Sequence, residues 1–144
     1  SYSSDSLSMN LIHALASVNA NIPHIKRFDV ALANMDNPYL SLGAFDSVED
    51  FVERGIGFCL LKEDVIIGVA YSSLVSANAI EVSIVVDPDH YRKGIATALS
   101  CKLLEWCLEH HVAPHWDAAN DESCKLAEKL GYTHSGVYTA YFLK

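Results

Sequence analysis

The sequence predicts an α/β domain (α+β mixed) with a central mixed, mostly antiparallel β-sheet flanked by helices. Three observations carry this reading. The strand-like runs "IGFCLLK", "VIIGVAYSSLV" and "AIEVSIVVD" follow one another with only short turns between them. A long segment of helical period comes next, and a shorter strand–helix–strand series closes the chain. The chain has 144 residues, 51% apolar and 19% charged, which suits one globular domain with a real core.

Residues 5 to 19, "DSLSMNLIHALASVN", place Leu7, Leu11, Ala14, Leu15 and Val18 at helical spacing, with Asp5 or Ser6 as cap. Pro23, Asn37-Pro38 and Gly43 punctuate the next stretch and leave room only for short elements. Residues 1–45 therefore read as an N-terminal helical and irregular segment of the same domain, and residues 46–144 as its core. In "DSVEDFVERG", Asp46 or Ser47 caps a short helix, Val48, Phe51 and Val52 form one face, and Gly55 ends it. The next two runs flank Glu63-Asp64 as a hairpin. Asn78 turns the chain into the third strand, where Glu81 and Ser83 alternate with Ile80, Val82 and Ile84. Residues 93 to 110 form the clearest helix, with Ile95, Leu99, Leu103, Trp106 and Cys107 on one side, and His110-His111 and Pro114 at its end. "PHWDAAN" is a short buried strand leading to a second helix, "NDESCKLAEKLGY", capped by Asn120 or Asp121 and stopped by Gly131. "VYTAYFL" is the final strand, and its open edge is a surface on which a homodimer could pair.

A net charge of −8 argues against nucleic acid or an anionic membrane as the main partner and suits a small cationic substrate. No apolar run reaches the roughly 18 residues of a membrane helix. The opening stretch lacks the basic start and cleavage site of a signal peptide. The four cysteines, Cys59, Cys101, Cys107 and Cys124, have no CxxC spacing and lie in apolar-periodic segments. Buried, reduced thiols in a cytoplasmic protein are the reading that follows. The seven histidines show no zinc-binding spacing, so no metal is expected. His110-His111 suits a helix C-terminus, His115 beside Trp116 reads as packing, and His90 flanks the loop that follows the third strand. Trp106 reads as core. Asp117 either caps the last helix or faces substrate, and Tyr71 either packs or lines a groove.

The stretch "VVDPDHYRKGIATALSCKLLEW" concentrates the chemistry. A helix begins with unpaired backbone N–H groups and a partial positive charge, so it favours an anion. Gly94 permits close backbone approach, Ala96 adds little bulk, and Arg92 and Lys93 bring charge suited to phosphate oxygens. These residues describe a diphosphate cradle. The plain alternative is a solvated basic pair before a loop glycine. The stretch is neither a Walker loop nor the dinucleotide glycine fingerprint.

These residues resemble the GNAT superfamily of acyl-CoA N-acyltransferases. In that family a strand ends near V-x-P and is followed by an Arg/Gln-x-x-Gly-x-Gly/Ala loop and a long helix. Here V-x-P is Val86-Asp87-Pro88, and the loop is Tyr91-Arg92-Lys93-Gly94-Ile95-Ala96 with Thr97 following. Tyr91 departs from the usual Arg or Gln. "NDESCKLAEKLGY" is similar to the family's Asn-x-x-Ser/Ala…Leu-x-x-Lys-x-Gly-Phe/Tyr segment through Asn120, Ser123, Leu126, Lys129, Gly131 and Tyr132. "PHWDAANDESCKLAEKLGY" resembles the subgroup related to zwittermicin A resistance proteins, whose members are usually longer, so an N-terminal portion is expected beyond this chain.

The resemblance implies a GNAT fold and acetyl-CoA as cosubstrate. It places the pyrophosphate on Arg92, Lys93, Gly94, Ile95, Ala96 and Thr97. The pantetheine arm would run along Ile84, Val85 and Val86, with Asn120 and Ser123 reaching it from the other side. A backbone N–H near Val86 would hold the oxyanion. An alkyl amine of pKa about 10 is protonated at neutral pH and needs a base. Glu81 stands ten residues before Tyr91, the offset at which many members carry their glutamate base. The tyrosine that often follows the Leu of the last helical motif is replaced by Ala127, leaving Tyr138 or Tyr141 as substitutes for the acid or as ordinary packing. The expected function is N-acetyl transfer to a small-molecule or peptide amine by direct attack. The alternatives are a GNAT-like module that binds CoA without turnover, and an unrelated nucleotide-binding α/β domain.

Overall fold

The computed structural model describes residues 2–18, 24–90, 94–118 and 120–134. In chain order the strands are β1 Tyr2–Ser3, β2 Ile25–Arg27, β3 Gly57–Lys62, β4 Val65–Val75, β5 Ala79–Val86, β6 Ala113–His115 and β7 Thr133–His134. The helices are α1 Met9–Val18, α2 Val30–Ala33, α3 Val48–Arg54, α4 Ile95–Glu109 and α5 Asp121–Leu130. A mixed five-stranded sheet runs β2-β3-β4-β5-β6, antiparallel except for the β5–β6 pair. The α/β architecture, with helices on a mixed and mostly antiparallel sheet, is the one the sequence predicts.

The long elements fall where periodicity puts them. Glu63 and Asp64 both have positive φ (52° and 65°), the left-handed pair that a two-residue hairpin turn demands. Ser47 caps α3 by accepting the Asp50 N–H, and Asn120 caps α5 by accepting the Ser123 N–H. Three details differ from expectation. The Ser8 hydroxyl, and neither Asp5 nor Ser6, accepts from the Leu11 N–H at the start of α1. The preceding residues are held in β1 and a turn closed by the Leu7 N–H on the Ser4 carbonyl, so the helix starts after them. α4 begins after Gly94, whose φ of 76° is left-handed and outside a helix. The segment before residue 46 contains two short strands and α2, and β2 joins the main sheet. The expected final strand "VYTAYFL" lies outside the described residues.

Three apolar clusters hold the layers together. On one sheet face, Leu60, Ile67, Ile80 and Val86 meet Ile95, Leu99, Leu103 and Cys107 of α4. Beside it, α1, α4 and α5 enclose Ile12, Cys101, Leu104, Ala127, Leu130, Trp116, Tyr132 and Tyr2. On the opposite sheet face Cys59, Val69 and Tyr71 pack with Phe28, Phe45 and Phe51 under α2 and α3. β4 is therefore buried on both faces from Ile66 to Ser72, which explains the apolar run Val65–Tyr71. β1 and β7 form a small second sheet, and Tyr2 bridges to Trp116 at the continuation of β6.

Ser100 of α4 is fully buried, and its hydroxyl has no hydrogen-bond partner among the described residues. A buried hydroxyl without a partner costs about 1–3 kcal/mol, and alanine is the better helix former. Ser100→Ala is expected to stabilise the fold by about 1 kcal/mol, read as a higher urea midpoint with unchanged slope. A lowered midpoint would show that the hydroxyl is satisfied in solution.

Candidate functional site

Glu81, Ser83 and Val85 lie on the face of β5 turned away from α4, while Ile80, Val82, Ile84 and Val86 face the helices. At Glu81 the β4–β5 register slips: Val82 pairs with Ser72 and Glu81 with Leu74, so Ser73 is an extra residue, and its hydroxyl donates to the Glu81 carbonyl at 3.4 Å. Such a bulge twists a strand locally and re-aims the side chain opposite it. On the other side, Glu81 pairs in parallel register with His115. Burial raises the Glu81 carboxyl above the usual range, Asp117 raises it further, and His115 acts in the opposite direction. His115 is exposed, on the strand face opposite the buried Pro114 and Trp116. The packing role expected for it is therefore wrong. Strand alternation carries it to the Glu81 side, and Asp117 shares that side instead of capping α5.

Among the described residues the edge of β5 opens beyond Glu81, because β6 pairs with it only from Ala79 to Glu81. The Asp87 N–H donates to the Ile67 carbonyl at 2.8 Å, which sets the phase of the ladder. In that phase Ser83 and Val85 turn their backbone groups toward β4, and Ile84 and Val86 turn theirs toward the gap left by β6. Of the three neighbouring residues expected to meet a ligand arm, Ile84 and Val86 thus present backbone groups to the gap and Val85 does not.

At the top of β5 the chain makes a single 3-10 turn, Pro88–His90, before α4. Asp87 Oδ2 and His90 Nδ1 are 2.7 Å apart, and the Tyr39 hydroxyl donates to Asp87 Oδ1 at 3.2 Å. Tyr71 is buried, and its hydroxyl accepts the Ser41 N–H at 3.1 Å. The segment Tyr39–Ser41 is therefore pinned to both β4 and the end of β5. Neither Asp87 nor Tyr39 was singled out from the sequence. Their only signal is the side-chain chemistry of residues that lie far apart in the chain.

Gly94 caps α4 without a side-chain hydrogen bond, and the first turn holds no acidic residue. The first N–H bonded within the helix is that of Ala98, to the Gly94 carbonyl at 3.0 Å. The N–H groups of Ile95, Ala96 and Thr97 have no acceptor inside the helix. Tyr91, Arg92 and Lys93 lie outside the described residues, as do Tyr138 and Tyr141. In α5 the Asn120 carbonyl oxygen is engaged in the cap, and the Ser123 hydroxyl accepts from Trp116 Nε1 at 3.1 Å. Ala127 is fully buried among Tyr2, Trp116 and Tyr132. Trp106 is only half-buried, stacked on His110 with Arg27 over its ring.

Burial pushes the Cys107 thiol up to about 12 and the Cys59 and Cys101 thiols to about 11, so none of these is a nucleophile at neutral pH. Among the described residues no group of three or more His, Cys, Asp or Glu could hold a metal ion. No described helix is long and apolar enough to cross a membrane.

A family model described as GNAT acetyltransferase matches residues 5–141. An uncharacterized N-acetyltransferase, YdfB of Bacillus subtilis (strain 168), is 28% identical over 100 residues, which are 68% of this chain and 38% of that protein. The crystal structure of a GCN5-related N-acetyltransferase-like protein from Streptococcus suis 89/1591 superposes with a TM-score of 0.82 at 27% identity, covering 91% of this chain and 55% of that one. The aminoglycoside N-acetyltransferase AAC(6')-Iy in complex with CoA shares the fold, with a TM-score of 0.56 at 18% identity over 76% of this chain and 91% of that one. The chain spans well under two thirds of the first two relatives. The family match, extending over nearly the whole sequence, is decisive: this chain belongs to the GNAT acetyltransferase family.

Proposed function

We propose that the chain is the acetyl-transferring part of an N-acetyltransferase that uses acetyl-CoA and an amine acceptor, with no covalent enzyme intermediate. The observation that carries this reading is Glu81: a carboxyl raised by burial, aimed by a bulge, on the strand whose edge is open beside it. The residues present fit acetyl-CoA. Two backbone positions, Ile84 and Val86, that have no strand partner on the β6 side among the described residues suit an amide-bearing arm, and the α4 N-terminus, without an acid in its first turn, suits a diphosphate. Arg92 and Lys93 precede Gly94 in the sequence and carry charge suited to a diphosphate, and Asn120 retains its amide nitrogen for a contact.

Acetyl-CoA supplies a thioester whose C–S bond breaks as the C–N bond to the acceptor forms, with CoA leaving as the thiol. Glu81 takes the proton that the acceptor ammonium must lose, directly or through water. Ala127 leaves α5 without the hydroxyl that family members often place there. A thiol of pKa about 8.5 departs readily as thiolate and takes its proton from solvent. The likeness of "PHWDAANDESCKLAEKLGY" to zwittermicin A resistance proteins supports a small cationic amine as acceptor, in keeping with the net charge of −8.

Glu81 works only when ionised, so kcat/KM falls as pH drops through its raised pKa. Asp117→Asn removes a raising influence and is expected to move that acid limb to lower pH. His115→Gln removes a lowering influence and is expected to move it to higher pH. Limbs that stay put in both variants would exclude Glu81 as the titrating base. The direct test of the whole reading is calorimetric titration with acetyl-CoA, with ATP and NAD as controls, followed by an amine screen. Micromolar binding of acetyl-CoA alone supports it. Preference for ATP or NAD overturns it.

A further inference from the structure

The bulge in β4 decides which way the last apolar side chains of that strand point. Strand alternation turns Ala70 toward α4, and Val69 and Tyr71 toward α2 and α3. Continued unbroken, it would carry Leu74 inward, opposite Ile80. The extra residue, Ser73, reverses the phase. Val75 takes the place opposite Ile80 and packs against the α4 cluster, while Leu74 pairs with Glu81. Directly paired residues put their side chains on one face, with Cβ atoms about 4.5–5.5 Å apart. One row across three strands therefore reads Leu74, Glu81, His115. Leu74 is 54% exposed in that row. A lone surface leucine is ordinary, but this one adjoins the carboxyl that takes the acceptor's proton. Glu81 thus stands between an apolar flank on β4 and a polar flank, His115 and Asp117, on the β6 side.

Resting on the acetyl-transfer reading with Glu81 as base, we propose that Leu74 is a specificity-determining residue that selects acceptors with an aliphatic chain next to the attacking amine. An amine that gives its proton to Glu81 brings its adjoining carbons within reach of the Leu74 side chain. Carbons laid on Leu74 leave water, which favours them over polar atoms in the same place. The β6 flank is left to a polar or charged end of the same molecule. Leu74 is exposed, so its replacement leaves the apolar clusters intact.

The test measures kcat/KM with n-butylamine and with 2-methoxyethylamine, an acceptor of equal length in which an ether oxygen replaces one methylene. The quantity read is the preference for n-butylamine, wild type against variant, so the differing basicity of the two amines cancels. Leu74→Asn is expected to lower that preference by about tenfold, mainly through KM. Leu74→Met is expected to keep it to within about threefold, and CoA affinity is expected to hold in both variants. An unchanged preference in Leu74→Asn, including an equal loss of rate on both amines, would make Leu74 a mere support for the strand and overturn the proposal. Turnover of neither amine by a wild type that accepts other amines would overturn it as well. If wild type acetylates no amine at all, the acetyl-transfer reading itself falls and takes the proposal with it, an outcome separable from failure of Leu74 alone.

Discussion

Glu81→Gln is expected to lower kcat/KM for acetyl transfer by about 10²–10⁴ while leaving the affinity for CoA unchanged. Glutamine keeps the size of the side chain and can still hydrogen-bond, but it cannot accept the proton that an ammonium must lose. The strand stays in register, because the Ser73 hydroxyl bonds the Glu81 backbone carbonyl and not its carboxyl. The loss therefore belongs to chemistry and not to folding. An acceptor of low pKa, already neutral at the assay pH, should lose much less, since it brings no proton to remove. Steady-state rates with a pair of acceptors differing in pKa, together with CoA titration of the variant, provide the measurement. Full activity in Glu81→Gln with a strongly basic acceptor would reduce Glu81 to an ordinary strand carboxylate.

Phe51→Ala is expected to destabilise the domain by about 3–5 kcal/mol, a large part of the roughly 5–15 kcal/mol that such a fold commands. Phe51 is 1% exposed and makes edge contacts with Phe28, Phe45 and Tyr71 at centroid distances of 5.9, 5.3 and 6.3 Å. Its removal leaves a cavity under α3 against which β3 and β4 have already packed their other face. Tyr71, which fixes the Ser41 N–H, also loses a wall of its pocket. Urea unfolding gives the change in stability. Phe51→Leu, which keeps part of the volume, serves if the alanine variant does not fold. A midpoint change equivalent to less than about 1 kcal/mol in both would show that this cluster does not hold the sheet face.

Much of this was legible because the long elements repeat their pattern enough times to be read. The helix over Ile95–Glu109 and the strand bearing Glu81 each show their period plainly, and the glutamate's face followed from alternation alone. The strands Tyr2–Ser3 and Ile25–Arg27 were not readable, since two or three residues cannot display a period and what makes them strands is a partner distant in the chain. Register was equally hidden. The apolar run Val65–Tyr71 and the Ser72-Ser73 pair that follows give no sign that Ser73 is extra, and so none that Glu81 sits opposite a bulge. His115 illustrates the same limit: two-residue periodicity against Pro114 and Trp116 puts it on the exposed face, but only the parallel pairing makes it Glu81's neighbour. The link from Tyr39 through Asp87 to His90 depends wholly on tertiary approach.

The pairing of β1 with β7 has a consequence for the order in which the domain assembles. The strands from β3 to β5 join neighbours in the chain and close short loops, whereas Tyr2 must find His134 and Trp116 across almost the whole described sequence. Loop closure costs entropy that grows with length, so distant pairings form late and local ones early. The antiparallel meander is the expected nucleus, with the small sheet sealed last over the α1–α5 side. In native-state hydrogen exchange the Tyr2 N–H, bonded to the Trp116 carbonyl at 2.9 Å, should open well before the amides of β4.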